Sequence, residues 1–165
     1  MHVQPRRLNL RESLPEDASY AARLEEANRQ WVGAWPVERH TQLLADPNHR
    51  HLTIYDEADA RVGFVILYHL ESDRLVELVR IVSEKQGQGI GTATLKIVQD
   101  MAFNQLHAHR LQLDVFEHNE AALRVYTSAG FTTEGVLRDP HIREGRFISI
   151  VIMSMLEHEF RSLHD

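Results

Sequence analysis

Residues 80–92 read Arg-Ile-Val-Ser-Glu-Lys-Gln-Gly-Gln-Gly-Ile-Gly-Thr, an apolar strand end that runs through three alternate glycines into a helix start. Without a Cβ at Gly87, Gly89 and Gly91 the backbone can fold tightly and turn its N–H groups toward one point. Apolar residues at 90, 97, 98, 101, 102 and 106 then follow the spacing of one helical face. The first turn of a helix carries unpaired N–H groups and a partial positive charge, so this junction suits a phosphate or pyrophosphate. A strand–helix connection that binds nothing can have the same glycines, and the loop alone leaves both readings open.

Four other positions could do chemistry. Glu77 stands among Leu75, Val76, Leu78 and Val79. A carboxylate in so apolar a strand is exposed, paired (with Arg80, for example) or functional. Asn119 precedes a helix and suits an N-cap. Tyr126 lies seven residues further, two turns along the same face and about 10 Å away. It reads either as a core ring or as a hydroxyl that is protonated, and able to donate, at neutral pH. Histidine is a residue type suited to proton transfer near neutral pH, which makes His118 an outside candidate, but it reads as a surface residue beside that helix. The eleven histidines are scattered, with His49/His51 and His107/His109 two apart, so no metal site is expected.

The elements that position these residues follow from periodicity. Residues 6–11 alternate as a short strand, and Ser13 with Glu16 and Pro15 predicts a capped helix to about residue 28. Pro36 opens a second helix, which Asp46-Pro47-Asn48 closes. Strands are predicted near 52–54, 62–70 and 75–82, the last feeding the glycine loop and a helix over about 90–106. A strand at 111–115, a helix from 119 to 129 ending at Gly130, and two closing strands complete the order β-α-α-β-β-β-α-β-α-β-β. Antiparallel strands followed by β-α-β units imply an α/β (α+β) mixed sheet with helices on both faces. A doubly wound dinucleotide fold would alternate strand and helix from the start. The loop also lacks the Gly-Lys-Ser/Thr ending of a nucleotide-triphosphatase P-loop.

The 165 residues are read as one domain. A net charge of −6 argues against nucleic acid as a partner. No apolar run is long enough for a membrane span, there is no cysteine, and residues 1–7 lack a signal-like apolar core, so a cytoplasmic protein is expected.

Two segments carry a resemblance. Gln86-Gly87-Gln88-Gly89-Ile90-Gly91, and Asn119-Glu-Ala-Ala-Leu-Arg-Val-Tyr126 followed by Gly130-Phe131, occur in order, about 30 residues apart, with a strand between them. Together they resemble the GNAT superfamily of N-acetyltransferases. The tail from Glu134 is similar to the branch holding ribosomal-protein-alanine and diamine acetyltransferases. The resemblance implies a twisted, mostly antiparallel sheet of about six to seven strands, with acetyl-CoA as cosubstrate and no metal. The acceptor it implies is a primary amine that attacks the thioester directly: a peptide N-terminus, an amino acid or another small amine, with a polyamine as the alternative. A non-catalytic acyl-CoA-binding sensor is the different-class alternative, and a homodimer is left open.

By the same resemblance Gln86, Gly87, Gln88, Gly89, Ile90, Gly91 and Thr92 hold the CoA pyrophosphate. Ile81 and Val82 offer backbone to the pantetheine arm and Asn119 offers its amide. Tyr126 is the general acid. Glu77 is the candidate general base, because an alkylamine with a pKa near lysine's is only about one part in a few thousand neutral at pH 7. Residues 1–60, with Tyr20, Trp31 and Trp35, would shape the acceptor side, and residues 61–156 the acetyl-CoA core.

Overall fold

Period-two alternation of apolar side chains draws seven strands into one twisted sheet. In the computed structural model, which describes residues 6–165, these are β1 (Asn9–Glu12), β2 (His49–Tyr55), β3 (Arg61–Leu70), β4 (Leu75–Ser83), β5 (Arg110–Phe116), β6 (Thr132–Arg143) and β7 (Arg146–Leu156). Their order in the sheet is β1-β2-β3-β4-β5-β7-β6, and β4 with β5 is its parallel pair. The helices are α1 (Asp17–Ala27), α2 (Val37–Ala45), α3 (Ile90–Asp100), α4 (Glu120–Ser128) and α5 (Glu157–Leu163). The expected mixed α/β order is present, with α5 in addition. That helix has too few apolar residues to declare itself by period, and it is held by Phe160 stacked on Phe103 at 4.8 Å.

Two local readings change. Ser13 is no helix cap: its Oγ lies 2.7 Å from Thr53 Oγ1 and 2.8 Å from His51 Nδ1. The chain instead enters α1 through Asp17, whose carboxylate accepts from Leu14 N–H at 2.8 Å. The third helix keeps its regular α form only to Asp100, and Met101–Gln105 widen to a π-helical turn.

The sheet has an apolar layer on each face. Leu52, Val65, Leu67, Val76, Leu78, Leu111, Leu113 and Met153 pack beneath α3 and α4, and Phe64, Ile66 and Val82 pack beneath α1 and α2. Where β3 meets β4 the register slips: Leu67 faces Leu78 and Ile66 faces Arg80, so Val79 bulges out. A bulge bends its strand and sharpens its twist. The consequence falls on the other edge of β4. Parallel pairing with β5 runs only from Leu75↔Arg110 to Leu78↔Leu113, although the strands continue to Ser83 and Phe116.

A buried polar chain lies under α1 and α2. Arg80 Nε donates to Glu25 Oε2 at 2.7 Å, and Glu25 Oε1 accepts from His40 Nε2 at 2.5 Å. His40 Nδ1 lies 3.1 Å from His51 Nε2. Glu25 and His40 are fully buried. Burial pushes the His51 pKa down to about 4, with His40 adding to the shift. Hydrogen bonds thus link Thr53, Ser13, His51, His40 and Glu25 into one continuous chain.

The sign of the linkage is set by that depressed value. The unfolded His51 gains a proton as pH falls below about 6.5, while the folded one resists until about 4, so stability is lost across that window. Urea unfolding at pH 5 should give a free energy roughly 2 kcal/mol below that at pH 7.5. A His51→Asn variant should lose most of that difference whatever its absolute stability.

Candidate active site

The glycine loop sits where β4 ends and α3 begins. Gly87 and Gly89 have φ of 73° and 75°, values that side chains rarely tolerate, so glycine is needed there for the turn itself. Gly91 is already helical. A Cβ built at any of the three would meet nothing within 4 Å. The space above the loop is therefore open, and the first N–H groups of α3 face it without a side-chain cap. Gln86, Gln88, Ile90 and Thr92 belong to the same short segment.

Beside the loop, a cavity of about 440 Å³ runs between α3, α4 and the chain end, lined by Thr92, Lys96, Gln99, Arg124 and Ser128 among others. Thr92, Lys96 and Gln99 stand at i, i+4 and i+7, one face of α3. That spacing was available in the sequence. What it did not reveal is that Arg124 of α4 comes across to meet this face. Two cations thus line the route leading away from the helix N-terminus, an arrangement that fits a phosphate-bearing cosubstrate.

Asn119 caps α4 as its position predicts, its Oδ1 accepting from Ala122 N–H at 3.2 Å. Its Nδ2 is loosely held, 3.5 Å from Trp31 O. His118 Nε2 lies 2.7 Å from Gln30 O, and its ring lies 5.7 Å from that of Trp31. The connection 28–36 between α1 and α2 is thereby drawn across the β5–α4 junction. Tyr126, two turns into α4, is 8 % exposed and edge-on to Phe131. Burial raises its pKa, so it stays protonated. Its hydroxyl has no hydrogen-bond partner among the described residues.

Glu77 does not pair with Arg80, which is committed to Glu25. It alternates with Val76 and Leu78 and so faces the α1/α2 side of the sheet, opposite Tyr68 on β3 and Gln112 on β5. Its pKa is raised, first by burial and then by the negative charge of Asp114, while Gln112 and His49 hold the rise back. Asp114 is the residue that sequence reasoning missed. It follows the last paired residue of β5 on the same face as Glu77, and burial raises its pKa against the nearby His141. An exposed-looking aspartate in an alternating strand carries no signal of its own. Its proximity to Glu77 exists only once β4 and β5 pair.

The candidate site has two sides, one on each face of the sheet, flanking the point where β4 and β5 part. The glycine loop, α3 and α4 stand on one face, and Glu77, Asp114 and connection 28–36 on the other. Backbone groups that β4 turns toward β5 beyond Leu78 have no strand partner there, and such groups need a ligand or water.

The acetyltransferase (GNAT) family pattern matches residues 20–131. The chain belongs to this family. A spermidine N(1)-acetyltransferase of Escherichia coli is 29% identical over 165 residues, covering 90% of this chain and 86% of that protein. A structure of spermidine N-acetyltransferase from Vibrio cholerae in complex with CoA and spermine superposes with a TM-score of 0.83 at 22% identity, covering 93% of this chain and 98% of the other. A dodecameric structure of the V. cholerae enzyme gives 0.82 at 22% identity, with coverage of 96% and 98%. The protein is an N-acetyltransferase that uses acetyl-CoA to acetylate an amine. Among the described residues no helix is long and apolar enough to cross a membrane.

The negative charge of Asp114 opposes the ionisation of Glu77. Asp114→Asn should lower the pKa of Glu77 by removing the charge that opposes its ionisation. Carboxyl-carbon NMR of the two proteins would read the shift. An unmoved Glu77 signal would mean that burial alone sets its value.

Proposed function

We propose that the parting of β4 from β5 is the reaction cleft, with acetyl-CoA entering from the α3/α4 face and the amine from the α1/α2 face. The observation that carries this reading is the end of parallel pairing at Leu78↔Leu113, after which β4 runs on unpaired with β5 to Ser83 and the glycine loop. The pyrophosphate lies on the amides of 87–92, supported by Gln86, with Lys96 and Arg124 along its route. Backbone of Ile81 and Val82 and the loosely held Asn119 amide take the pantetheine arm. The chain works as a single domain in which residues 1–60 shape the acceptor side and 61–156 form the acetyl-CoA core; of these, 1–5 lie outside the described residues.

Bound acetyl-CoA supplies an activated thioester, and the protein's residues manage protons and charge around it. Glu77, with its raised pKa, accepts the proton of the ammonium through water and is a stronger base than an ordinary carboxylate. An unpartnered N–H of β4 beyond the bulge is available to oppose charge on the carbonyl oxygen. Tyr126 faces the departing sulfur. Its raised pKa stands above that of a thiol, so full proton transfer is uphill and the hydroxyl acts chiefly as a hydrogen-bond donor to developing negative charge.

Such a bond to a charged group is worth about 1.5–3 kcal/mol, so Tyr126→Phe should lower kcat up to about a hundredfold with CoA affinity intact. In the same assays Gly89→Val should raise the CoA dissociation constant at least about tenfold, because it strains a positive φ and fills the open cradle. A loss of turnover below about threefold for Tyr126→Phe would return it to a packing role. Unchanged CoA affinity in a folded Gly89→Val protein would remove the loop from the site.

The edge strand β6 is exposed along its length, and Val136, Leu137, Ile142 and Phe147 expose large apolar side chains on the β6–β7 hairpin. An unpaired apolar edge calls for cover, and a second copy of the chain is the occupant that a dodecameric relative favours. Sedimentation should give a species larger than the 19.1 kDa monomer. A monomer at micromolar concentration would reject this arrangement.

A further inference from the structure

Two guanidinium groups converge on Gly33, in the connection that crosses the cleft. A Cβ built on Gly33 would lie 3.5 Å from Arg80 Nη2 and 3.9 Å from both Nε and Nη2 of Arg143. The groups come from distant strands: Arg80 follows the bulge in β4, and Arg143 ends β6. One carboxylate could bridge them.

Arg80 is held rigidly. Its Nε donates to Glu25, its Nη1 donates to Val79 O at 3.2 Å, and its guanidinium lies 4.0 Å from the Trp35 ring centroid. The remaining nitrogen, Nη2, has no acceptor among the described residues and is the one that faces Gly33. Arg143 donates only to the carbonyl of Ile142 and makes no ion pair among the described residues. The nearby acids are already engaged: Glu25 offsets Arg80, and Arg29 takes Glu26 and Glu144. In a chain of net charge −6, this corner keeps an uncompensated cation.

Three residues away on β4, about 10 Å along the strand, stands Glu77 with Asp114 beside it. The approach to the cleft therefore offers donors at one end and carboxylates at the other. We infer that the acceptor is a zwitterion-like amine, an amino acid whose carboxylate is bridged by Arg80 and Arg143 while its amine turns toward the cleft. A planar fork matches a carboxylate with two parallel hydrogen bonds, which a polyamine cannot accept. A polyamine would also place like charge beside Arg143. This inference rests on the reading that the acceptor enters from the α1/α2 face.

The full chain should be assayed with acetyl-CoA against the common L-amino acids, their α-amides and spermidine. The expected result is turnover of an amino acid, with Arg143→Gln lowering its kcat/KM at least about tenfold through KM and leaving the matching amide within about twofold. Arg143→Lys should restore part of the loss. Calorimetric titration of N-acetylated amino acids into the protein with CoA provides a readout without turnover, and Arg143→Gln should weaken that binding at least about tenfold. Spermidine turnover with none of any amino acid would overturn the inference, as would a parent chain that handles acid and amide equally. If no amine is acetylated while the N-acetylated amino acid still binds through Arg143, the cleft reading fails and the carboxylate site stands. Absence of both turnover and binding rejects both.

Discussion

The bulge at Val79 stands where the β4–β5 ladder ends, and the proposed cleft depends on that break. One unpaired residue on β4 bends the strand just where its parallel neighbour should continue, and the ladder to β5 ends at Leu78↔Leu113. An intact pair would have bonded every backbone group and sealed one face of the sheet from the other. The broken pair leaves a slot in the hydrogen-bond ladder beyond Leu78↔Leu113. The glycine loop and Asn119 then stand at the carboxyl ends of the two parallel strands, where parallel sheets ordinarily bind their ligands.

The two faces of the sheet are built differently around that slot. Beneath α3 and α4 the packing is almost wholly apolar, from Val65 and Leu67 through Leu111 and Met153 to Phe160. Beneath α1 and α2 a smaller apolar group shares its space with Glu25, His40, His51 and Thr53. Burying an acid is costly unless its oxygens are satisfied. Glu25 meets that condition with Arg80, His40 and the Trp35 N–H, which lies 3.3 Å from Oε1. The return for this burial is placement: the Arg80 guanidinium is fixed in its plane and stacked on Trp35 at the edge of the slot.

Much of the fold was legible in the chain. Alternating residues such as Leu111, Leu113 and Val115 announce a strand, and the run after Gly91 announces a helix, because each pattern reflects which face meets the core. The positive φ at Gly87, Gly89 and Gly130 likewise has its cause in residue type. Ser13 misled because a capping signature is purely local, and the buried pair Thr53 and His51 offered its hydroxyl a stronger set of partners. The short α5 escaped notice because its anchor, Phe160 on Phe103, joins residues 57 positions apart.

The sequence by itself determined the strand and helix order, the glycine turn and its anion-binding potential, the N-cap at Asn119, and the motif pair that marks the GNAT family. These are properties of neighbours along the chain, where spacing translates directly into geometry. Only the tertiary structure decided that Arg80 pairs with Glu25 and not Glu77, that Asp114 stands beside Glu77, and that Arg124 faces Lys96 across a cavity. It alone brought Arg143 to Gly33. Each of those contacts depends on strand register and on a bulge, and a shift of one residue in either would turn the side chains to the opposite face.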